Sequence, residues 1–363
     1  MADSNRVRLK VASWQYDGWT DVQIGLSIKA IAGSFSIGFT ERWPGQRTVW
    51  PIQPGEFCEL LIGNETVITG YVDIVDAQYD SNSHSLRVSG RDRTGDLVDC
   101  TVDPKTWNNQ SCSQIIRELV KPYGINVIEQ VDCSKVISRL VLDPGETVFS
   151  VLDQLARSAG VCLVSSGKGE LLITSAQNAI HNSGMLKLGE NILRASCRRD
   201  FTNLYSQITV SSQISGEALD QYDVLSTQPK AELQRSGNSV GFSKVNRYRP
   251  LRIIAESQSD SQRCLQRAQW EVSHREAEAF SMTVTVQGWR DPSGQLWKPN
   301  TLIKVVDECL RVNKVLLISE VRYSLSESGT TTELTLQPRE AFEPCPSVPD
   351  IELSEGADKY QVL

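Results

Sequence analysis

The chain has 363 residues, of which 40% are hydrophobic and 22% charged, a balance that suits a globular protein of two or three domains. Its formal net charge of −7 argues against nucleic-acid binding, because affinity for phosphate comes from clustered lysine and arginine. The sequence has no run of about 18 apolar residues, and Met1 to Arg6 lack the apolar core of a signal peptide, so synthesis in a cytosol without membrane insertion is expected.

From the start to about residue 90 the pattern is β. Ile24, Leu26 and Ile28 alternate, Ala32-Gly33-Ser34 interrupts, and Phe35, Ile37 and Phe39 alternate again, which predicts two strand halves joined by a bulge or bend at Gly33. Further strands are predicted at Phe57 to Ile62, Val67 to Val75 and Ser85 to Ser89, at the spacing of a small antiparallel barrel.

A second composition begins near Cys100. Ser111 or Ser113 caps a short helix bearing Ile115, Ile116, Leu119 and Val120, which Pro122 and Gly124 end before a strand at Ile125 to Val127. Thr147 precedes an apolar stripe at helical spacing (Val148, Val151, Leu152, Leu155, Ala159), with Gly160 as the stop. Val161 to Val164 and Glu170 to Thr174 flank Gly167-Lys168-Gly169 as a hairpin.

Strand character returns from Arg198 to Ser212, and the polar stretch from Gly216 to Asn246 reads as a long loop. Ser259 or Asp260 starts a helix running to about Phe280, and Ser281 to Gln287 resumes β. Gly288 to Asn300 is then a turn-rich corner: Asp291-Pro292-Ser293-Gly294 sets a turn, and Trp289 and Trp297 are large amphipathic anchors on either side. Strands follow from Leu302 to Tyr323, and the tail from Glu343 is acidic and rich in proline.

The stretch Gly288-Trp289-Arg290…Leu296-Trp297-Lys298-Pro299-Asn300 resembles a signature of central hub proteins in contractile phage tails, the Mu-like baseplate hubs and their relatives in T-even phages and type VI secretion spikes. Ile28 to Phe35 resembles the first-barrel motif of that family, and the Pro144-Gly145-Glu146-Thr147…Leu152-x-x-Leu155-Ala156…Gly160 pattern its middle domain. The resemblance runs from Ile24 to about Glu340. It implies a β-rich α+β fold: two related antiparallel β-barrel domains plus a small α/β module, assembling as a ring.

On that basis the first barrel is expected at 1–98, the middle domain at 99–190 and about 216–278, the second barrel at 191–215 and 279–342, and a tail at 343–363. The implied protein is a homotrimeric adaptor between tail tube protein and spike protein, contacting baseplate wedge proteins. It is assembled in the host cytoplasm, carries no enzyme activity or cofactor, and uses Trp289, Arg290, Trp297, Pro299 and Asn300 as a structural corner or interface. Two other readings stay open: the hub part of a type VI secretion-like spike, and, from the α/β module, a peptidoglycan-binding or peptidoglycan-hydrolysing tail protein.

An internal similarity supports the two-barrel expectation. Pro54 and Phe57 to Tyr79, followed by Ser85 to Asp92, lie over Pro299 and Leu302 to Tyr323, followed by Glu333 to Glu340, with nearly equal spacings. Such duplication lets a trimer present six similar faces.

Catalytic patterns fail on inspection. Ser165-x-x-Lys168 satisfies a nucleophile motif in letters but sits at a Gly-rich turn rather than on a helix. The three histidines, His84, His181 and His274, are far apart in sequence, with His84 in a Ser-rich turn, and all three read as surface residues. Glu271, Glu276 and Glu278 read as a solvated helix face. The nine cysteines form no C-x-x-C pair and read as buried reduced thiols. The eight tryptophans read as core or subunit-interface anchors, and Arg198-Arg199 and Arg247-Tyr248-Arg249 as salt-bridge or interface groups.

Overall fold

The computed structural model describes residues 5–40, 52–79, 84–211, 230–234, 245, 247–254, 261–327 and 329–345. Seven strands come first: β1 (Val7–Val11), β2 (Trp14–Tyr16), β3 (Asp21–Ser27), β4 (Ser34–Thr40), β5 (Phe57–Ile62), β6 (Glu65–Tyr79) and β7 (His84–Asp92). Alternation decides the faces, with Val22 and Ile24 of β3 and Phe35 and Ile37 of β4 buried on one side. The two halves expected on either side of a bend at Gly33 are instead separate strands, paired antiparallel from Asp21↔Gly38 to Gly25↔Ser34. Gly33 lies in their connection, where its N–H donates to Asp92 Oδ2 at 2.8 Å and an added Cβ would lie 2.9 Å from Leu26. A side chain there would have to displace the end of Leu26. His84, expected in a turn, is the first residue of β7.

The middle module holds α1 (Gly95–Asp99), β8 (Thr106–Ser111), α2 (Cys112–Val120), β9 (Asn126–Glu129), β10 (Val136–Val141), α3 (Val148–Ala159), β11 (Cys162–Ser165) and β12 (Glu170–Thr174). Ser111 caps α2 in a reciprocal capping box with Gln114, and Thr147 caps α3, whose stop at Gly160 adopts φ 72°. The apolar faces of both helices close on one core with Trp107, Leu140, Leu171 and Ile173. The hairpin β11–β12 forms as expected, and β9 adds to it in parallel.

The remaining elements are β13 (Ile180–Lys187), β14 (Ile192–Arg199), β15 (Gln207–Ser211), β16 (Lys230–Gln234), β17 (Pro250–Ile254), α4 (Ser261–Glu278), β18 (Phe280–Gln287), β19 (Thr301–Asp307), β20 (Val312–Ser326) and β21 (Gly329–Gln337). Inside the stretch read as a loop, Lys230–Gln234 is a strand paired with β15; most of that stretch, and the expected helix start at Ser259 or Asp260, lie outside the described residues. Cys264 and Ala268 of α4 pack on Ile208 and Val210 of β15.

The β-strands before and after the module repeat one plan. The order β3-β4-β7-β6-β5 in the first set is matched by β14-β18-β21-β20-β19 in the second, every neighbouring pair being antiparallel. β5, β6 and β7 are 6, 15 and 9 residues long, and β19, β20 and β21 are 7, 15 and 9. Both long strands carry a bulge in the same place, at Asp73 opposite Gly90 and Ser89, and at Ser319 opposite Leu336 and Thr335. Aligning the bulges sets Tyr323 against Ala77, two residues from its expected match with Tyr79. Because the strand period is two, the face is preserved.

The two sets are not separate bodies. β20 pairs with β3 from Glu320↔Ser27 to Leu325↔Val22, joining both into one 13-stranded sheet over a shared apolar core. Among the described residues the strand pairing forms an open path rather than a closed barrel.

Candidate functional site

The corner between β18 and β19 contacts both strand sets and the α/β module. Gly288, at φ 74°, leaves β18 while its carbonyl accepts from Thr332 Oγ1 at 2.6 Å. Asp291 then organises the turn: its Oδ1 accepts from Ser293 N at 2.9 Å, Ser293 Oγ at 2.6 Å and Gln295 N at 3.0 Å, and its Oδ2 from Asn182 Nδ2 at 2.8 Å. Burial acts to raise the Asp291 carboxyl, but the hydrogen bonds from Ser293, Asn182 and Gln295 outweigh it and hold it below the usual carboxylate range.

Trp289 is 0% exposed, and its Nε1 donates to Ser324 O and Thr331 O, both at 3.1 Å, locking the ring over the β20–β21 hairpin. Trp297 is 2% exposed and packs in the same core, its Nε1 having no hydrogen-bond partner among the described residues. The Tyr323 hydroxyl donates to Trp297 O, and burial pushes that phenol above its ordinary value, with Glu65 adding to the effect.

Arg290 reaches the first strand set. Its Nη1 lies 2.7 Å from Glu65 Oε1 at the start of β6, and its Nε donates to Asn5 Oδ1 at 3.3 Å. Asn300, at φ 58°, reaches the module: its Nδ2 donates to Thr174 Oγ1 at 3.3 Å and Ser175 O at 3.4 Å, while its N–H donates to Ile318 O at 2.9 Å. Left-handed backbone at a non-glycine residue favours asparagine. Pro299 lines, with Asn300, Leu26, Val67, Gly167 and Tyr323, a cavity of about 620 Å³ between the corner, the β3–β4 connection and the β11–β12 turn. At that turn Gly167 meets Val67 O, 2.5 Å from where a Cβ would be, and accepts from Thr69 Oγ1 at 3.1 Å.

The five corner residues are thus brought together inside one chain, where Trp289, Arg290 and Asn300 contact the second strand set, the first strand set and the module. Glu65, the partner of Arg290, Thr174, the partner of Asn300, and Asn182, the partner of Asp291, carry no sequence signal, because each is supplied by a distant element. Asp291, inside an Asp-Pro-Ser-Gly turn, does carry one, since this side chain is suited to bonding the backbone two residues on.

The other sequence candidates sort as follows. Ser165 Oγ and Ser166 Oγ accept from Gly167 N and Lys168 N, so the S-x-x-K letters build a turn. Glu271 is not solvated: it is buried on α4 between Arg267 and Arg275, at 2.8 Å and 2.7 Å. His274 stacks on Trp270 with ring centroids 4.4 Å apart. Cys58, Cys112, Cys133 and Cys264 are buried, as expected, but Cys100 and Cys309 are exposed. Trp19 and Trp107 are core residues and Trp14 is exposed, while Trp43 and Trp50 lie outside the described residues. Arg198 pairs with Asp200 at 2.7 Å, and Arg249 donates to Leu204 O at 3.0 Å and Thr202 O at 2.6 Å. Among the described residues no three of His, Cys, Asp and Glu gather in a metal-binding arrangement.

Comparison with known proteins matches the same architecture. The chain is 32% identical over 346 residues to the baseplate hub protein gp44 of Escherichia phage Mu, covering 93% of this chain and 89% of that protein. The chain belongs to the Mu-like baseplate hub family. Three family models match successive segments: the Mu phage baseplate assembly protein GpP-like N-terminal domain at residues 6–92, the second domain of gp44-like baseplate hub proteins at 94–175, and the fourth domain of the GpP baseplate assembly protein at 260–345. Of solved structures, the 43 kDa tail protein of prophage MuSo2 from Shewanella oneidensis is 32% identical with a TM-score of 0.81, covering 93% of this chain and 99% of that one. A tail protein from Neisseria meningitidis MC58 shares the fold at TM-score 0.77 and 24% identity, over 93% and 98% of the two chains. The c3393 protein of E. coli, a type VI secretion system component, shares the hub fold at TM-score 0.56 and 13% identity, over 93% and 79%.

Proposed function

We propose that this protein is the structural hub of a Mu-like contractile tail baseplate, a homotrimer that joins the tail tube to the central spike. The duplicated strand plan carries this reading, supported by identity to a baseplate hub over nearly the whole chain. Three chains supply six copies of the five-strand unit, near-equivalent seats for a six-fold tube, while the α/β module, present once per chain, keeps the three-fold symmetry of a spike. The corner at Trp289, Arg290, Trp297, Pro299 and Asn300 acts as the joint that fixes one copy relative to the other. Its role is mechanical rather than catalytic, and the formal charge of −7 suits a passage that must not retain DNA. The hub assembles in the host cytoplasm and meets wedge proteins in the finished baseplate.

Native mass spectrometry of the purified chain at micromolar concentration tests this reading. A trimer is expected, and a monomer contradicts it. Zymography of the same preparation is expected to show no clearing of peptidoglycan.

A further inference from the structure

Among the described residues the joint between the two strand sets is made once, although each set carries both halves of it. In the second set the distal part of the long strand, Glu320 to Leu325 of β20, pairs with β3 of the first set, and Val321 and Tyr323 are buried there. Bulge alignment makes Ile74 to Tyr79 of β6 the equivalent of that segment. On the edge of β6 away from β7, Ile74 to Gln78 pair with no strand among the described residues, since β5 ends its pairing at Phe57↔Tyr71. The side chains from Asp76 to Gln78 are exposed.

The other half is likewise open. β14 is the equivalent of β3: the pair Ile24↔Phe35 in the first set corresponds to Cys197↔Met282 in the second. β14 pairs with β18 on one side, and Ala195 to Arg199 pair with no strand on the other among the described residues. Two strand edges without a partner among the described residues, in one chain, invite pairing.

We propose that β6 of one subunit pairs with β14 of its neighbour in the antiparallel register that β20 and β3 use within the chain. Carrying Tyr323↔Ile24 across the repeat gives Ala77↔Cys197, and from it Gln78↔Ser196, Asp76↔Arg198, Val75↔Arg199 and Ile74↔Asp200. The register brings opposite charges face to face at Asp76 and Arg198, although charge played no part in deriving it. It also aligns Val75, Ala77, Ala195 and Cys197 on the side of the sheet facing the shared core, where Val75, Ala195 and Cys197 already pack partly buried. The contact is head-to-tail, with a different edge on each partner, and closes into a ring when the rotation allows. This inference rests on the trimeric hub reading and supplies its interface.

The register places a native thiol opposite an alanine, so one substitution reports it. Directly opposed residues of an antiparallel pair have Cα atoms about 4.5–5.5 Å apart, within the span of a disulfide. Ala77→Cys, purified and mildly oxidised, is expected to give dimers and covalent trimers on a non-reducing denaturing gel, with peptide mapping locating the bridge between positions 77 and 197. Adding Cys197→Ser is expected to abolish the ladder, and Gln78→Cys, which points to the opposite face, to give none. A trimer in native mass spectrometry without the 77–197 bridge overturns the proposed register while leaving the hub reading standing; a monomer by mass spectrometry removes both. The charge pair provides an independent check. Asp76→Arg is expected to lower the trimer fraction at low salt at least tenfold, and Asp76→Arg with Arg198→Asp to restore it. A double variant no better assembled than the single one also overturns the register.

Discussion

Trp289 and Trp297 are both almost fully buried, yet their indole N–H groups differ: one is doubly hydrogen-bonded and the other has no partner among the described residues. That contrast makes a quantitative prediction. Truncation of either to alanine removes a large aromatic and leaves a void, at a cost of about 3–5 kcal/mol. The phenylalanine variants separate the polar contribution. Trp297→Phe loses part of the ring area, about 1–2 kcal/mol, but also removes a buried donor whose unmet desolvation costs about 1–3 kcal/mol, so the net change lies between a loss of about 1 and a gain of about 2 kcal/mol. Trp289→Phe loses the same area and leaves Ser324 O and Thr331 O without that donor, for about 2–5 kcal/mol in total. Urea unfolding at one fixed protein concentration, followed by far-ultraviolet circular dichroism, measures the difference. With a slope of about 3 kcal/mol per molar urea, the Trp289→Phe midpoint should lie on the order of 0.5 M or more below that of Trp297→Phe. Equal midpoints, or the reverse order, refute the hydrogen-bond assignment at this corner.

Glu271→Ala leaves Arg267 and Arg275 facing each other without their shared carboxylate and is expected to destabilise by about 3 kcal/mol, read as a lowered unfolding midpoint; a solvated glutamate would change it by less than about 0.5 kcal/mol. Asn300→Ala should cost about 1–3 kcal/mol through left-handed strain and lost contacts to the module, and Asn300→Gly less, because glycine accepts φ 58°. The Asp291 carboxyl is held low in the folded protein, so the unfolded chain binds more protons as pH falls. Its contribution is therefore present in full above the unfolded carboxylate value near 3.9 and is lost as pH drops through the lower folded value. Asp291→Asn should flatten that acid limb of the stability profile, and an unchanged limb contradicts the assignment.

Features written in local spacing were legible before any coordinates. Ser111 caps α2, Gly160 ends α3, and β5 runs from Phe57 to Ile62, each where the sequence indicates. Alternation continues on both sides of Gly33, and a sequence does not distinguish a bend in one strand from a short connection between two. On a helix as rich in charge as α4, spacing alone does not show that Glu271 is buried in an ion pair with Arg267 and Arg275. The repeat was visible as similar spacing, but its register emerged only from the bulges at Asp73 and Ser319, since alternating apolar residues match equally well when slipped by two. The β3–β20 joint had no local signature, because pairing between strands some 300 residues apart leaves no periodic trace.

The central claim is that one chain supplies two near-equivalent seats, and a cryo-electron-microscopy reconstruction of the purified protein tests it most directly. The account predicts a closed trimeric ring in which the units β3–β7 and β14 with β18–β21 alternate at one radius, related by rotations near 60°. Two clearly different radii for the two units, or a particle that is not a trimer, contradict it.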